Sequence, residues 1–304
     1  MQIGSFMYNS DIYNIISNYS TELNSKNFIC AGSREDCWAK INLGAKQIAF
    51  GKTIDSATHI TLLPNLKKIE KCKDLDFLPP TLTHLSIPLP LIPLLNSKKI
   101  PNLQHLTVIY LNEYKNLNLN IADITLDDEF DLKSFKFSSN YEKDQNKWLD
   151  TLIDLNNYKN LEFLGLSLNE DKNALEYISN LRQVKYFSIH SNTKNLLRFI
   201  PKEAELIDLI CNEDEKDLES ILEFNKLKFL RIHGGLISEF DCKLLQKLPL
   251  EEISLISVYK LINPLALLTI PSLKKLQIMD YKKSLKKKDK ELFQAHGFID
   301  LNIE

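Results

Sequence analysis

The chain has 304 residues, 44% hydrophobic and 26% charged, with a formal net charge of −2. That balance is ordinary for a folded chain and supplies no global field for nucleic acid or an anionic membrane. Arg34, Arg182, Arg198 and Arg231 are the only arginines, so the guanidinium fork suited to phosphates and base edges is scarce and nucleic acid is not an expected partner.

The amino-terminal stretch MQIGSFMYNSDIYNIISNYS has no basic n-region and no continuous apolar h-region, so no signal peptide is expected. No run approaches the roughly 18 apolar residues of a membrane-spanning helix, and no membrane insertion is expected. The location that follows is cytoplasmic, or secreted by a route that needs no signal peptide. Within this stretch, SDIYNIISNYSTEL reads as an amphipathic helix with Ser10 or Asp11 as its N-cap. Residues 1–44 do not fit the repeat described next and are expected to form an N-terminal helical cap. Cys30, Cys37, Cys72, Cys211 and Cys242 are odd in number and contain no CxxC pair, which reads as buried free thiols in a reducing compartment.

From residue 45 onward the sequence repeats itself. The template is apolar-x-x-apolar-x-apolar, often followed by x-x-Asn. It falls on Ala45/Ile48/Phe50, Leu82/Leu85/Ile87, Leu103/Leu106/Val108, Ile121/Ile124/Leu126 and Leu132/Phe135/Phe137. Leu66/Ile69 starts another unit, but Lys71 fills its third slot. The pattern continues at Leu161/Leu164/Leu166, Val184/Phe187/Ile189, Ala204/Ile207/Leu209, Leu227/Leu230/Ile232, Leu250/Ile253/Leu255, Leu273/Leu276/Ile278 and Phe298/Leu301/Ile303. The middle residues of these last seven units are 23, 20, 23, 23, 23 and 25 positions apart, the near-constant period of a stacked-repeat architecture. Ile124 and Phe135 are only 11 apart, so one of those two units is a false match or degenerate. DQNKWLDTLIDLNNY, after the second of them, reads as an extra helix.

Alternate residues of a strand share a face, so the two apolar residues of each LxL point inward together. A short strand cannot bury that face alone; stacked units make a parallel sheet with one core. Apolar segments such as NALEYISNL, NLLRFI, KDLESILEF and CKLLQKL then cover the other side. No dedicated cap is expected after Ile303, with KKSLKKKDKELFQ partly shielding that end.

The pattern LxxLxLxxN resembles the leucine-rich-repeat family from about Ala45 to the carboxyl end, and LPPTLTHLSI is similar to the repeats of secreted bacterial effectors. The resemblance implies an α/β leucine-rich-repeat solenoid with its curved parallel sheet on the concave side and helices or irregular segments on the convex side. It implies that Asn140, Asn169, Asn192 and Asn212 tie down backbone amides where the chain leaves the strand; Gly235, Val258 and Tyr281 leave that slot empty. It implies a non-catalytic protein-binding module acting through the concave face, such as an inhibitor, an immunity-type antitoxin or an effector. The alternative is a structural or adaptor scaffold that uses several surfaces.

Outward-pointing strand residues occupy the third, fifth and seventh template positions. The third gives an apolar row, Phe163, Tyr186, Leu206 and Phe229, followed by Glu252 and Lys275. The fifth carries Asp208 and Arg231, and the seventh His190 and His233. Aromatic anchors beside arginine are what binding hot spots use, so these eight residues are the candidate protein contacts, with Asp208 and Arg231 setting register. A row packed beneath a flanking segment, or a strand slipped by one residue, would give the same letters another meaning. His84 and His105 share the third position with Asp123 in the next unit, but exposed imidazoles are common on strands and neither a metal nor a cofactor is expected. No GxSxG, HExxH, P-loop or GxGxxG is present. His233 begins an HGG read as turn chemistry, and YKKSLKKKDK reads as a solvated helix face. The expectation is a protein that is monomeric alone and is not an enzyme.

Overall fold

The structure, a computed structural model, describes residues 9–19, 28–31, 39–42, 58–62, 66–117, 119–139, 142–191, 193–211, 218–234, 237–279 and 285–303. The unit at Ala45/Ile48/Phe50, and Asn140, Asn192, Asn212, Gly235 and Tyr281, lie outside them. The chain forms two compact units, one of Ser17–Asn169 and one of Met1–Ile16 with Glu170–Glu304. This division differs in kind from the boundary at 44/45, which separates non-repeating from repeating sequence. Helix α1 (Asp11–Tyr19) starts in the second of these units, and its last turn belongs to the first.

In the 17–169 unit, β1 (Phe28–Ala31) and β2 (Ala39–Asn42) pair antiparallel, and β2 pairs antiparallel with β3 (His59–Leu62). The described part of residues 1–44 is therefore not purely helical. The parallel stack begins at β3 and continues, after a single helical turn α2 (Leu66–Ile69), through β4 (His84–Pro88), β5 (His105–Tyr110), β6 (Ser134–Ser139) and β7 (Phe163–Leu168). Ile60, Leu85, Leu106, Phe135 and Leu164 are in register from strand to strand, as are Ile87, Val108, Phe137 and Leu166. Of the two crowded matches the false one is Ile121/Ile124/Leu126, since Ile121–Asp123 is a 3₁₀ turn. Leu66/Ile69 is likewise no strand; the strand of its repeat is β3, with Ile60 and Leu62 turned to the core. The extra helix is three 3₁₀ turns, at Glu142–Asp144, Lys147–Asp150 and Leu155–Asn157.

The other unit holds α3 (Lys172–Ser179) and the parallel strands β8 (Tyr186–Ser191), β9 (Leu206–Cys211) and β10 (Phe229–His233). A two-residue strand β11 (Phe240–Asp241) pairs with β13 (Leu261–Ile262) as a separate small sheet. Between them in sequence, β12 (Glu252–Ile256) continues the main stack, followed by β14 (Lys275–Met279), helix α4 (Lys287–Ala295) and β15 (Asp300–Ile303). Phe187, Ile207, Leu230, Ile253, Leu276 and Leu301 align across the six strands, so the register read from the repeat holds here.

The core is built by this alignment. Ile207, Leu209, Leu230, Ile232, Ile253, Leu255, Leu276 and Ile278 are all essentially inaccessible. Each such side chain contributes about 1.5–3 kcal/mol of burial, and neighbouring repeats supply the surface that one strand lacks. NALEYISNL forms the α-helix α3, capped by Asp171, whose carboxylate accepts the Ala174 N–H at 3.0 Å. The other covering segments make short 3₁₀ turns, at Leu196–Phe199, Leu218–Glu223, Cys242–Leu245 and Pro264–Thr269. Pro201, Pro249 and Pro271 follow three of them; proline has no N–H and forces the residue before it out of the helical region.

Candidate protein-binding face

The third, fifth and seventh template positions lie on one face of the strands, opposite the core. In the unit of β8–β15, the third-position row runs Tyr186, Leu206, Phe229, Glu252, Lys275 and Asp300, each in register with the next. This row is not an open surface, because the first turn of α1 is docked on its charged half. Ser10 is the N-cap: its Oγ accepts the Tyr13 N–H at 3.1 Å and donates to Glu252 Oε1 at 2.5 Å. Glu252 Oε2 accepts the N–H groups of Asp11 at 2.7 Å and Ile12 at 3.2 Å. Lys275 Nζ donates to the Asn9 carbonyl at 2.7 Å and pairs with Asp11 at 2.8 Å, and Asp300 accepts the Asn9 N–H at 2.7 Å. Arg231 lies over the Tyr13 ring, 4.6 Å from its centroid.

Glu252 is 0% exposed. An isolated buried carboxylate would be prohibitive; here the first N–H groups of a helix and their dipole supply compensation. Burial pushes the Glu252 carboxyl above its ordinary range, although the bonds from Ser10, Asp11 and Ile12 pull the other way.

The candidate contacts divide according to this docking. Leu206 is 0% and Asp208 1% exposed, which corrects the expectation of a free row at those positions. Asp208 and Arg231 are in register on adjacent strands and bind each other. Arg231 Nε and Nη2 each donate to one oxygen of Asp208 at 2.6 Å, and Ser188 Oγ donates to Asp208 at 2.7 Å. Tyr186, Phe229 and His190 remain half-buried, and His233 is exposed. The seventh-position row reads His190, Ile210, His233, Ile256 and Met279, with Ile210, Ile256 and Met279 half-buried. Of this row the sequence predicts only His190 and His233 as contacts; the apolar members Ile210, Ile256 and Met279 accompany them.

In the 17–169 unit the third-position row is His59, His84, His105, Ser134 and Phe163. Phe163, 2% exposed, stacks against Tyr19 of α1 at 5.2 Å between ring centroids. Tyr19 meets His105 edge-on at 5.7 Å, and Ser134 Oγ donates to the Tyr19 carbonyl at 3.2 Å. The three imidazoles form a stack with centroids 3.8 and 4.0 Å apart. Burial, then the neighbouring imidazoles, lowers His84 to about 3; burial, then the charge of Lys133, lowers His105 to about 4. Asn18, Tyr19, His105, Lys133, Asn160 and Glu162 line a cleft of about 440 Å³ beside this stack. Asp123 sits in its 3₁₀ turn and is not part of the ladder, and among the described residues no three potential ligands are grouped to hold a metal ion.

After β7, Asn146 Oδ1 accepts the Asn169 N–H at 3.2 Å and Asn146 Nδ2 donates to the Asn169 carbonyl at 3.0 Å, so a side chain of the preceding connection holds the backbone of this turn. Burial raises the Cys242 thiol to about 12, which removes it as a nucleophile near neutrality. Among the described residues no helix is long and apolar enough to cross a membrane.

In-register parallel strands joined by one-turn coverings at a 23-residue period make this a leucine-rich-repeat protein with an α/β solenoid fold. No known protein family matches the chain by sequence, and no curated protein sequence does. Among solved structures it is similar to an internalin from Listeria monocytogenes, with 13% identity, 74% of this chain and 75% of that one covered, and a TM-score of 0.38. It is also similar to a leucine-rich-repeat protein of Leptospira interrogans, with 16% identity, coverage of 79% and 87%, and a TM-score of 0.36.

Proposed function

We propose that the chain is a non-catalytic protein-binding module that engages a partner through the odd-position face of its sheet, as an inhibitor, immunity-type antitoxin or effector. The observation that carries this reading is the seventh-position row. Ile210, Ile256 and Met279 stay half-buried on a face where solvent-facing strand residues are ordinarily polar, and exposed His233 lies between the two isoleucines. Strands lie about 4.8 Å apart, so Ile210, His233, Ile256 and Met279 stand side by side as one mixed row, apolar on either side of the imidazole. Tyr186 and Phe229 adjoin it as half-buried aromatic anchors of the kind that dominate interface energetics. Leu206 would join only where the face opens. The protein works as a monomer, in the cytoplasm or after export.

The adaptor reading draws on Leu152 and Leu222, which are 65% and 46% exposed on connecting segments rather than on the strands. Affinity capture from lysate of the source cell, with the intact chain beside an Ile210→Asp/Ile256→Asp variant, separates the two. A stoichiometric partner lost in the variant supports the strand face. A partner retained by that variant and lost in Leu222→Asp assigns binding to the coverings.

A further inference from the structure

We infer that the ladder Asp300–Lys275–Glu252, with Arg231 on the next strand beside it, is a receptor for the amino-terminal turn of an α-helix in a partner protein, and that α1 occupies it as a resident competitor. The inference rests on the reading of this face as a protein-binding surface and names the kind of partner. The argument starts from which atoms of α1 are recognised. Asp300 takes the Asn9 N–H, Lys275 the Asn9 carbonyl, and Glu252 the Asp11 and Ile12 N–H groups. These four contacts are to main-chain atoms; the Asp11 and Ile12 N–H groups are orphan donors that every helix start presents, and the Asn9 contacts hold the residue before the N-cap. Side chains add three further requirements. Glu252 accepts a hydroxyl N-cap, Lys275 pairs with an acidic residue at the first helical position, and Arg231 covers an aromatic ring two positions on.

A carboxylate on a strand 242 residues away thus caps a helix that already has its own N-cap serine. Helix stability alone does not need it, since Ser10 supplies the ordinary cap. The charges are complementary to a helix start: a buried anion faces the positive end of the dipole, and a cation faces the acidic first turn. The ligand is therefore a helix beginning Ser/Thr–Asp/Glu–aliphatic–aromatic. Proline, ordinarily welcome at the first helical position, is excluded because Glu252 needs that N–H.

The test uses the full chain and a fluorescein-labelled peptide with the sequence of residues 8–20. Ile12→Asp places a charge at a fully buried position beside Glu252 and frees the face; Asp11→Pro is the second releasing variant. Circular dichroism checks the fold, and hydrogen exchange over residues 9–19 checks release. Fluorescence anisotropy is expected to show saturable binding to a released chain and binding about tenfold or more weaker to the wild-type chain, where α1 competes. Proline at the Asp11 position of the peptide, or Glu252→Ala in the released chain, is expected to weaken binding about tenfold or more. Failure of the peptide to bind a released chain, equal binding of the proline peptide, or equal binding by the wild-type chain overturns the inference. So does retention of α1 in both releasing variants, since the Glu252 contacts would then not be what holds it. Peptide binding with a cellular partner indifferent to Ile210 and Ile256 keeps this site and removes the wider reading.

Discussion

Arg231 and Asp208 lie side by side on adjacent strands and are joined by two parallel hydrogen bonds of 2.6 Å. Their side chains are 11% and 1% exposed, so each charge depends on the other. Asp208→Asn leaves the guanidinium without its anion and is expected to cost about 3 kcal/mol in urea unfolding, the range for breaking one side of a buried pair. Asp208→Leu/Arg231→Met, which removes both charges, is expected to recover most of that loss. A double variant that loses as much as Asp208→Leu and Arg231→Met added together would show that the pair is not coupled.

The imidazole stack sets a pH dependence with a definite sign. His84 and His105 titrate near 3 and 4 in the folded chain, and His59 is also lowered. An unfolded histidine titrates near about 6.5. The folded state therefore binds fewer protons, and the stability is fully present above about 6.5 and lost as pH falls toward the folded values. For His105 alone the loss between pH 8 and pH 5 is roughly 2 kcal/mol. Chemical denaturation of the 17–169 unit, followed by hydrogen exchange at β4 and β5, is expected to show this decline, and His105→Phe to reduce its slope. An unchanged slope in that variant would exclude the stack as the origin.

What was legible in the sequence was whatever repeats at short range. Leu230, Ile253 and Leu276 announce their register because each occupies the same slot in successive units, and the strands pair on those residues. The strand carrying Ile60 and Leu62 was hidden by the competing match at Leu66/Ile69, and Ile121/Ile124/Leu126 was a chance match that folds as a turn. The helical coverings were overestimated, since apolar content alone does not distinguish α from 3₁₀ turns. The docking of α1 left one trace, the change from Phe229 to Glu252 and Lys275 along the third-position row. Nothing local links Glu252 to Ser10, because a helix cap supplied from another strand has no sequence spacing. The Asp208–Arg231 pair was seen as two charges in one row, but whether they face a partner or each other depends on side-chain geometry.

Gly234 tests the turn that closes β10. Its N–H donates to the Ile256 carbonyl at 3.0 Å, and its own carbonyl accepts the Ile237 N–H at 3.0 Å. A Cβ at this position would lie 2.4 Å from Ile237 Cδ1 and 3.2 Å from Ile237 Cβ, and Ile237 is fully buried. Gly234→Ala is expected to cost about 1–3 kcal/mol by overpacking. Adding Ile237→Val, which removes the terminal methyl, should return part of it. A thermal melt that places Gly234→Ala with the wild type would mean that the turn shifts freely.

Glu252 gives the opposite pH sign from the histidines. Burial raises its folded pKa above that of an unfolded glutamate, against the pull of its bonds to Ser10, Asp11 and Ile12. A raised carboxylate contributes stability fully present below the unfolded value, near about 4.3, and lost as pH rises through the folded one. Glu252→Ala removes this dependence and also leaves three donors without their acceptor, which is expected to cost about 2–3 kcal/mol at the α1 docking site. Site-resolved hydrogen exchange separates this from the histidine effect, because Asp11 and Ile12 donate directly to Glu252. Their amides should exchange faster in Glu252→Ala, and their protection in the wild type should fall as pH rises through the folded value, after correction for intrinsic exchange. Amides equally protected in both proteins would mean that α1 is held by its apolar face, with Ile12 rather than Glu252 as the anchor.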